Sequence, residues 1–190
     1  MMEMPEKLTS ERLVLERPYP VSFKLAEEIF AKVEDSRATL RLWLPWVDKT
    51  LRAEDEFINY LHSYCLDCWE HKTGFPYVIR LKETNELVGC IDLMSIDEQC
   101  KSAGIGYYLF DSAVGFGYMQ EAVICLEKAA FEMGLNRIVI KNDTKNIRSV
   151  NVAKRCGYHL DGVMRQNRWN DISQTLGDTN VFSKLKSEAE

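Results

Sequence analysis

Between Ile105 and Gly157 the chain alternates short apolar strands and helices in an order that leaves few folds open. The run Ile105-Gly-Tyr-Tyr-Leu-Phe110 has the length and apolar character of a buried strand, and it leads through Asp111-Ser-Ala-Val114 into Gly115-Phe-Gly117-Tyr-Met-Gln-Glu121-Ala122. Met119, Ala122, Val123, Leu126, Ala129 and Ala130 then recur at helical spacing, which predicts a helix over 118–133. A second strand follows over 137–143. A second helix, predicted over 147–156, opens on Asn146 and is stopped by Gly157 as its C-terminal cap.

Two glycines therefore stand at the mouth of a helix. The first N–H groups of a helix lack intrahelical partners and carry the positive end of the peptide dipoles, so an anion such as a pyrophosphate docks there once glycine allows close approach. A bare Gly-x-Gly more often only shapes a strand-to-helix turn. No Lys-Ser/Thr follows as a P-loop requires, and Gln120 stands where a dinucleotide fingerprint needs its third glycine.

Further motifs add weight to the anion reading. The chain carries Asn146-Ile-Arg-Ser149-Val-Asn-Val-Ala153, Leu135-Asn-Arg137 and Leu160-Asp-Gly162-Val, preceded by Leu8-Thr-Ser-Glu-Arg12-Leu-Val-Leu, Leu42-Trp43-Leu-Pro-Trp46-Val and Glu86-Leu-Val-Gly89-Cys-Ile-Asp-Leu. In this order, over nearly the whole chain, they resemble the GCN5-related N-acetyltransferase superfamily (GNAT), and within it the branch that acetylates N-termini of ribosomal proteins.

That resemblance implies a fold: one N-acetyltransferase domain over 1–190, α/β (α+β) in class. It would have a mixed, mostly antiparallel central sheet, helices on both faces, and two central parallel strands that splay apart after the first makes a bulge. The pattern along the chain fits this outline. It predicts strand 12–18, helix 21–33, a helical turn near 36–41, helix 53–72, strands 76–82 and 86–96 joined by a polar turn, strand 102–110, and strands near 158–168 and 178–186.

The resemblance also implies a cosubstrate, acetyl-coenzyme A, and no metal. Its pantetheine arm would pair like an added strand with Tyr108, Leu109 and Phe110, and its pyrophosphate would lie on the loop Val114, Gly115, Phe116, Gly117, Tyr118 and Met119, with Asn146 and Ser149 completing the cofactor site. One or two polar contacts to phosphate usual in the family are missing, because Val114 and Phe116 replace polar or basic residues. Backbone donors must carry more of the grip.

Acetyl transfer needs a neutral amine, N–H donors for the oxyanion and a proton for the departing thiolate. Where many relatives place a proton-donating Tyr, this chain has Ala153. The ribosomal branch uses a Ser at the position of Ser149, which becomes the catalytic candidate. Positions where relatives carry acidic residues are Gly104 and Arg168 here, so no carboxylate base carries over. An α-amine with a pKa near 8 is neutral in roughly a tenth of molecules at pH 7, a lysine in far fewer, and this favours a protein N-terminus as acceptor. A small amine, such as an aminoacyl-nucleotide or an amine antibiotic, and a coenzyme-binding sensor without turnover remain alternatives. Trp46, in a loop after the first helices, and Trp169, at a strand end, are assigned to opposite walls of the acceptor cleft; both also suit a core.

With 46% hydrophobic residues in 190, the chain can bury one sizeable core. A net charge of −5 disfavours nucleic acid and suits a basic peptide partner. No apolar run approaches the ~18 residues of a membrane span and no signal peptide is evident, so a cytosolic enzyme is expected, with homodimers possible because relatives often pair. Six scattered cysteines fit a reducing compartment. His62, Cys65, Cys68 and His71 suggest zinc by spacing, but on one helix His62 and His71 would lie on opposite faces, roughly 13.5 Å apart.

Overall fold

The computed structural model describes residues 3–18, 22–49 and 54–189. Its eight strands are β1 (Lys7–Thr9), β2 (Leu13–Glu16), β3 (Gly74–Leu81), β4 (Leu87–Asp97), β5 (Ser102–Leu109), β6 (Arg137–Asp143), β7 (His159–Asn170) and β8 (Thr175–Leu185). The helices are α1 (Phe23–Asp35), α2 (Arg37–Leu40), α3 (Trp46–Lys49), α4 (Glu54–His71), α5 (Tyr118–Glu132) and α6 (Ile147–Arg155). The strands form one sheet in the order β1-β2-β3-β4-β5-β6-β8-β7, antiparallel throughout except between β5 and β6. This is the mixed, mostly antiparallel sheet flanked by helices that the sequence predicts.

Period-two alternation divides the core between the two faces of the sheet. Tyr77, Ile79, Ile91, Leu93 and Ile105 pack into one cluster with the stripe Met119, Ala122, Val123, Leu126 and Ala130 of α5. Their neighbours Val78 and Leu87 belong to a second cluster with Ile29 and Val33 of α1 and Leu40 of α2. Local signals set the helix ends. The Ser22 hydroxyl accepts from Leu25 N–H at 3.1 Å and opens α1, and the Asn146 side chain accepts from Ser149 N–H at 3.2 Å and opens α6.

Several details depart from the pattern reading. β1 is a three-residue edge strand that no alternation announces. Trp46 begins a short helix rather than sitting in a loop. The first residues of the predicted helices at 21 and 53, and the side chains of Phe57 and Tyr60, lie outside the described residues.

The parallel pair carries the main consequence for function. β5 and β6 are in register only at Ser102↔Arg137, Ala103↔Ile138 and Gly104↔Val139. Beyond Gly104 they fork. The predicted bulge is not on β5, whose register against β4 runs unbroken from Gly104 to Leu109; the irregularity lies between Met94 and Asp97 at the far end of that pairing.

Candidate active site

The fork holds a cleft of about 500 Å³, lined on one side by Ile105 to Leu109 of β5 and on the other by Ile140 to Asp143 of β6. Backbone direction on β5 follows from one bond: Phe110 N–H donates to Val88 C=O at 3.0 Å. Alternation then turns the polar groups of Tyr108 and Gly106 toward β4, and those of Tyr107 and Leu109 into the gap. Phe110 is 1% exposed, its carbonyl accepts from Ala113 N–H, and it packs in the second core cluster. Of the three residues assigned to strand-like pairing, Leu109 thus offers free backbone groups, Tyr108 lines the cleft by position, and Phe110 is a core residue.

The glycine hinge lies at one end of the cleft, together with Val114, Tyr118 and Met119. Gly115 has φ +99° and Gly117 φ +82°, a region that residues bearing a Cβ rarely adopt. A Cβ on Gly115 would meet nothing within 4 Å, so the loop is open on its outer side. Gly117 caps α5 without any side-chain acceptor, and the first intrahelical bond is Glu121 N–H to Gly117 C=O. The N–H groups of the first turn therefore point out unpaired by side chains, which suits a pyrophosphate.

Phe116 does not line the cleft; it is 58% exposed and stacks on Tyr118, with ring centroids 5.5 Å apart. Arg12 lies over the other participant in that stack, 4.9 Å from the Tyr118 ring centre, and its guanidinium donates to Phe116 C=O at 3.0 Å. Glu121 holds Arg12 in place through bonds of 2.7 Å from its backbone N–H and Nε, and also accepts from Ser10 Oγ at 2.7 Å. Burial alone would raise the Glu121 carboxyl, but these donors hold it below its ordinary value.

At the throat, α6 brings Ser149 against β5. Its Oγ lies 3.0 Å from Tyr107 Oη, and both residues line the cleft. Burial raises the Tyr107 hydroxyl above its usual range despite that bond, so at neutral pH the pair holds its protons. Asn146 also lines the cleft, with its side chain committed to capping α6.

Arg148, Val152 and Arg155, at i, i+4 and i+7 on α6, present one stripe to the cleft, and Lys141 adds a further cation. The stripe is legible in the sequence as helical spacing of basic residues, yet only the fork shows which way it faces.

Thr39, Leu40, Trp43 and Leu44 form a further wall of the cleft, with Arg168 reaching from β7 to donate to Trp43 C=O. The two assigned tryptophans do not line this cleft. Trp46 is half-buried against Tyr108, ring centroids 5.6 Å apart, and lines an adjoining cavity. Trp169 is 48% exposed and lines neither; as the strand neighbour of Arg168 it points to the opposite face.

The acetyltransferase (GNAT) domain family matches residues 12–159. Ribosomal-protein-serine acetyltransferase of Escherichia coli (strain K12) is 30% identical over 116 residues, 60% of this chain and 64% of that protein's length. Among solved structures, RimL, a ribosomal L7/L12 alpha-N-protein acetyltransferase in complex with coenzyme A, superposes with a TM-score of 0.86 at 24% identity, covering 97% of this chain and 100% of that one. Microcin C7 self immunity acetyltransferase MccE, in complex with acetyl-CoA and AMP, superposes with a TM-score of 0.83 at 23% identity, over 93% of each chain. The chain belongs to the acetyltransferase (GNAT) family, as an acetyl-coenzyme A-dependent acetyltransferase related to the ribosomal-protein branch.

Proposed function

We propose that the protein transfers acetyl to an α-amine, with a protein N-terminus as the acceptor. The observation that carries the chemistry is the throat, where a cleft passing through the β5/β6 fork brings the Ser149 and Tyr107 hydroxyls together at 3.0 Å. The residues present fit coenzyme A. The open backbone of Gly115 to Met119 and the cations Arg148 and Arg155 would hold its phosphates, and Tyr107 and Leu109 would pair with its amide-bearing arm. The bound cosubstrate supplies an activated acetyl thioester. Ser149 would give a proton to the departing sulfur and recover one through Tyr107.

The α-amine preference is supported by what β5 lacks: Gly104 and Gly106, not carboxylates, flank the fork, and an amine near pKa 8 needs less help than lysine near 10.4. The ribosomal-protein serine acetyltransferase among the relatives points the same way. A small-molecule acceptor is the second reading, favoured by the likeness to MccE, solved with AMP, and by Arg168 in the cleft wall.

The test is thiol release, corrected for hydrolysis, with peptides bearing a free N-terminus, the same peptides N-acetylated but retaining an internal lysine, and a panel of aminoacyl-nucleotides. The proposal expects release only with free N-termini. Turnover confined to nucleotides would replace it with the second reading.

A further inference from the structure

A second cavity, of about 240 Å³, adjoins the cleft and shares Leu44, Gly106, Tyr107 and Tyr108 with it. Among the described residues, Asp92 is the one charged side chain in its wall. Asp92 on β4 stands directly opposite Gly106 on β5, so the carboxylate lies near the partition between the two spaces, where the flexible end of the Met94 side chain covers Gly106 and must swing aside to join them. Tyr64 of α4 donates to Asp92 Oδ2 at 2.8 Å.

The other titratable groups facing Asp92 are Cys65 and Cys68 from α4, Cys90 from β4 and Tyr108 from β5. All are neutral at pH 7, since burial pushes each upward, Cys90 to about 12. An ionised carboxylate in such a place, with no cation in the cavity wall among the described residues, is costly until a ligand brings one. Burial outweighs the Tyr64 hydrogen bond and pushes the Asp92 carboxyl up to about 6.

We infer that Asp92 receives the ammonium group of the acceptor and takes its proton, and that the cavity behind Gly106, walled by Tyr64, Trp46 and Leu61, houses the amine-bearing end of that acceptor. The inference rests on the reading of the protein as an amine acetyltransferase. One proton passes from the ammonium nitrogen to the Asp92 carboxylate. The freed lone pair forms the N–C bond to the acetyl carbon as the C–S bond breaks, and the sulfur leaves with that electron pair. The second nitrogen proton, acidic once the nitrogen is acylated, reaches the sulfur through the Ser149 hydroxyl, and Asp92 returns its proton to solvent.

A base near 6 faces a gap of about two pH units to an α-ammonium and more than four to a lysine, so the same carboxylate also discriminates in favour of α-amines. The mostly apolar wall selects a small, uncharged first residue, and Trp46 takes the part of a cavity wall rather than of an exposed stacking platform.

Two measurements test this. In the first, kcat/KM for an alanine-initiated tetrapeptide amide is followed from pH 5 to 9 for the wild type and Asp92→Asn, alongside the melting shift produced by acetyl-coenzyme A. The expected result is a loss of at least 100-fold at pH 7 in the variant, a loss that shrinks toward pH 9 where the amine is already neutral, with the coenzyme shift intact. A variant with wild-type kcat/KM and pH profile overturns the role of Asp92. A missing coenzyme shift in the wild type would instead sink the acetyltransferase reading. In the second, the ¹³C carboxyl resonance of Asp92 in the wild-type protein is titrated with and without the same peptide and coenzyme A. The carboxyl should titrate at lower pH with the peptide bound, and an unmoved titration overturns the inference without reference to turnover.

Discussion

Replacing Asp92 by Asn should stabilise the folded protein while disabling it. The carboxyl has an ordinary value of 3.8 and is pushed up to about 6 by burial; at about 1.4 kcal/mol per pH unit, that gap corresponds to roughly 3 kcal/mol. The sign follows from proton counting. Below pH 3.8 both folded and unfolded chains hold the proton, and Asp92 costs nothing. As pH rises toward 6 the unfolded chain releases its proton first, so the folded state loses stability progressively, and above 6 the whole cost is present. Asparagine keeps the acceptor for the Tyr64 hydroxyl and carries no charge. The variant should therefore gain about 3 kcal/mol at pH 7.5 and about half of that at pH 5, or roughly 6–12 °C in melting temperature at the higher pH. Urea unfolding of the ligand-free protein at the two pH values, with equal m-values as the check on two-state behaviour, measures the difference. A variant less stable than wild type at pH 7.5, or a gain that does not shrink on going to pH 5, would refute the claim that an uncompensated charge sits in this cavity.

Gly117→Val puts a β-branched residue at φ +82° and should cost roughly 1–3 kcal/mol while abolishing the melting shift given by millimolar acetyl-coenzyme A; Gly134→Ala, strained alike at φ +112° but beyond the end of α5, should cost stability and keep the shift. Ser149→Ala should slow single-turnover transfer by about tenfold or more with coenzyme affinity retained, and an unchanged rate removes Ser149 from the proton path. Lys184→Met strands the buried Glu127 carboxylate, now 2.6 Å from Lys184 Nζ, and should cost about 3–5 kcal/mol in urea unfolding, most of it regained in Lys184→Met/Glu127→Leu. Trp46→Ala should raise the acceptor KM by roughly tenfold, in line with about 1–3 kcal/mol for a lost aromatic contact, whereas Trp169→Ala, exposed on β7, should change neither KM nor stability.

The lessons of the sequence divide by distance along the chain. The buried stripe of α5, the cap at Asn146, the helix stop at Gly157 and the anion-ready turn at Gly115 and Gly117 are all written within one or two helical turns. Backbone geometry and nearest neighbours suffice to read such signals, and the order of motifs then identifies the family. The tertiary structure decided what those elements face. Ser149 meets Tyr107 across 42 residues, Arg12 meets Glu121 across 109, and Arg168 meets Trp43 across 125. Asp92 drew no reading from the sequence, and only the register sets it opposite Gly106. A shift of one residue in that pairing would turn every side chain of the strand to the other face, and nothing local to β4 or β5 records which register holds. Likewise, Trp46 and Trp169 are equal candidates as sequence, and only the packing of α3 against Tyr108 half-buries one while the outward face of β7 leaves the other about half exposed.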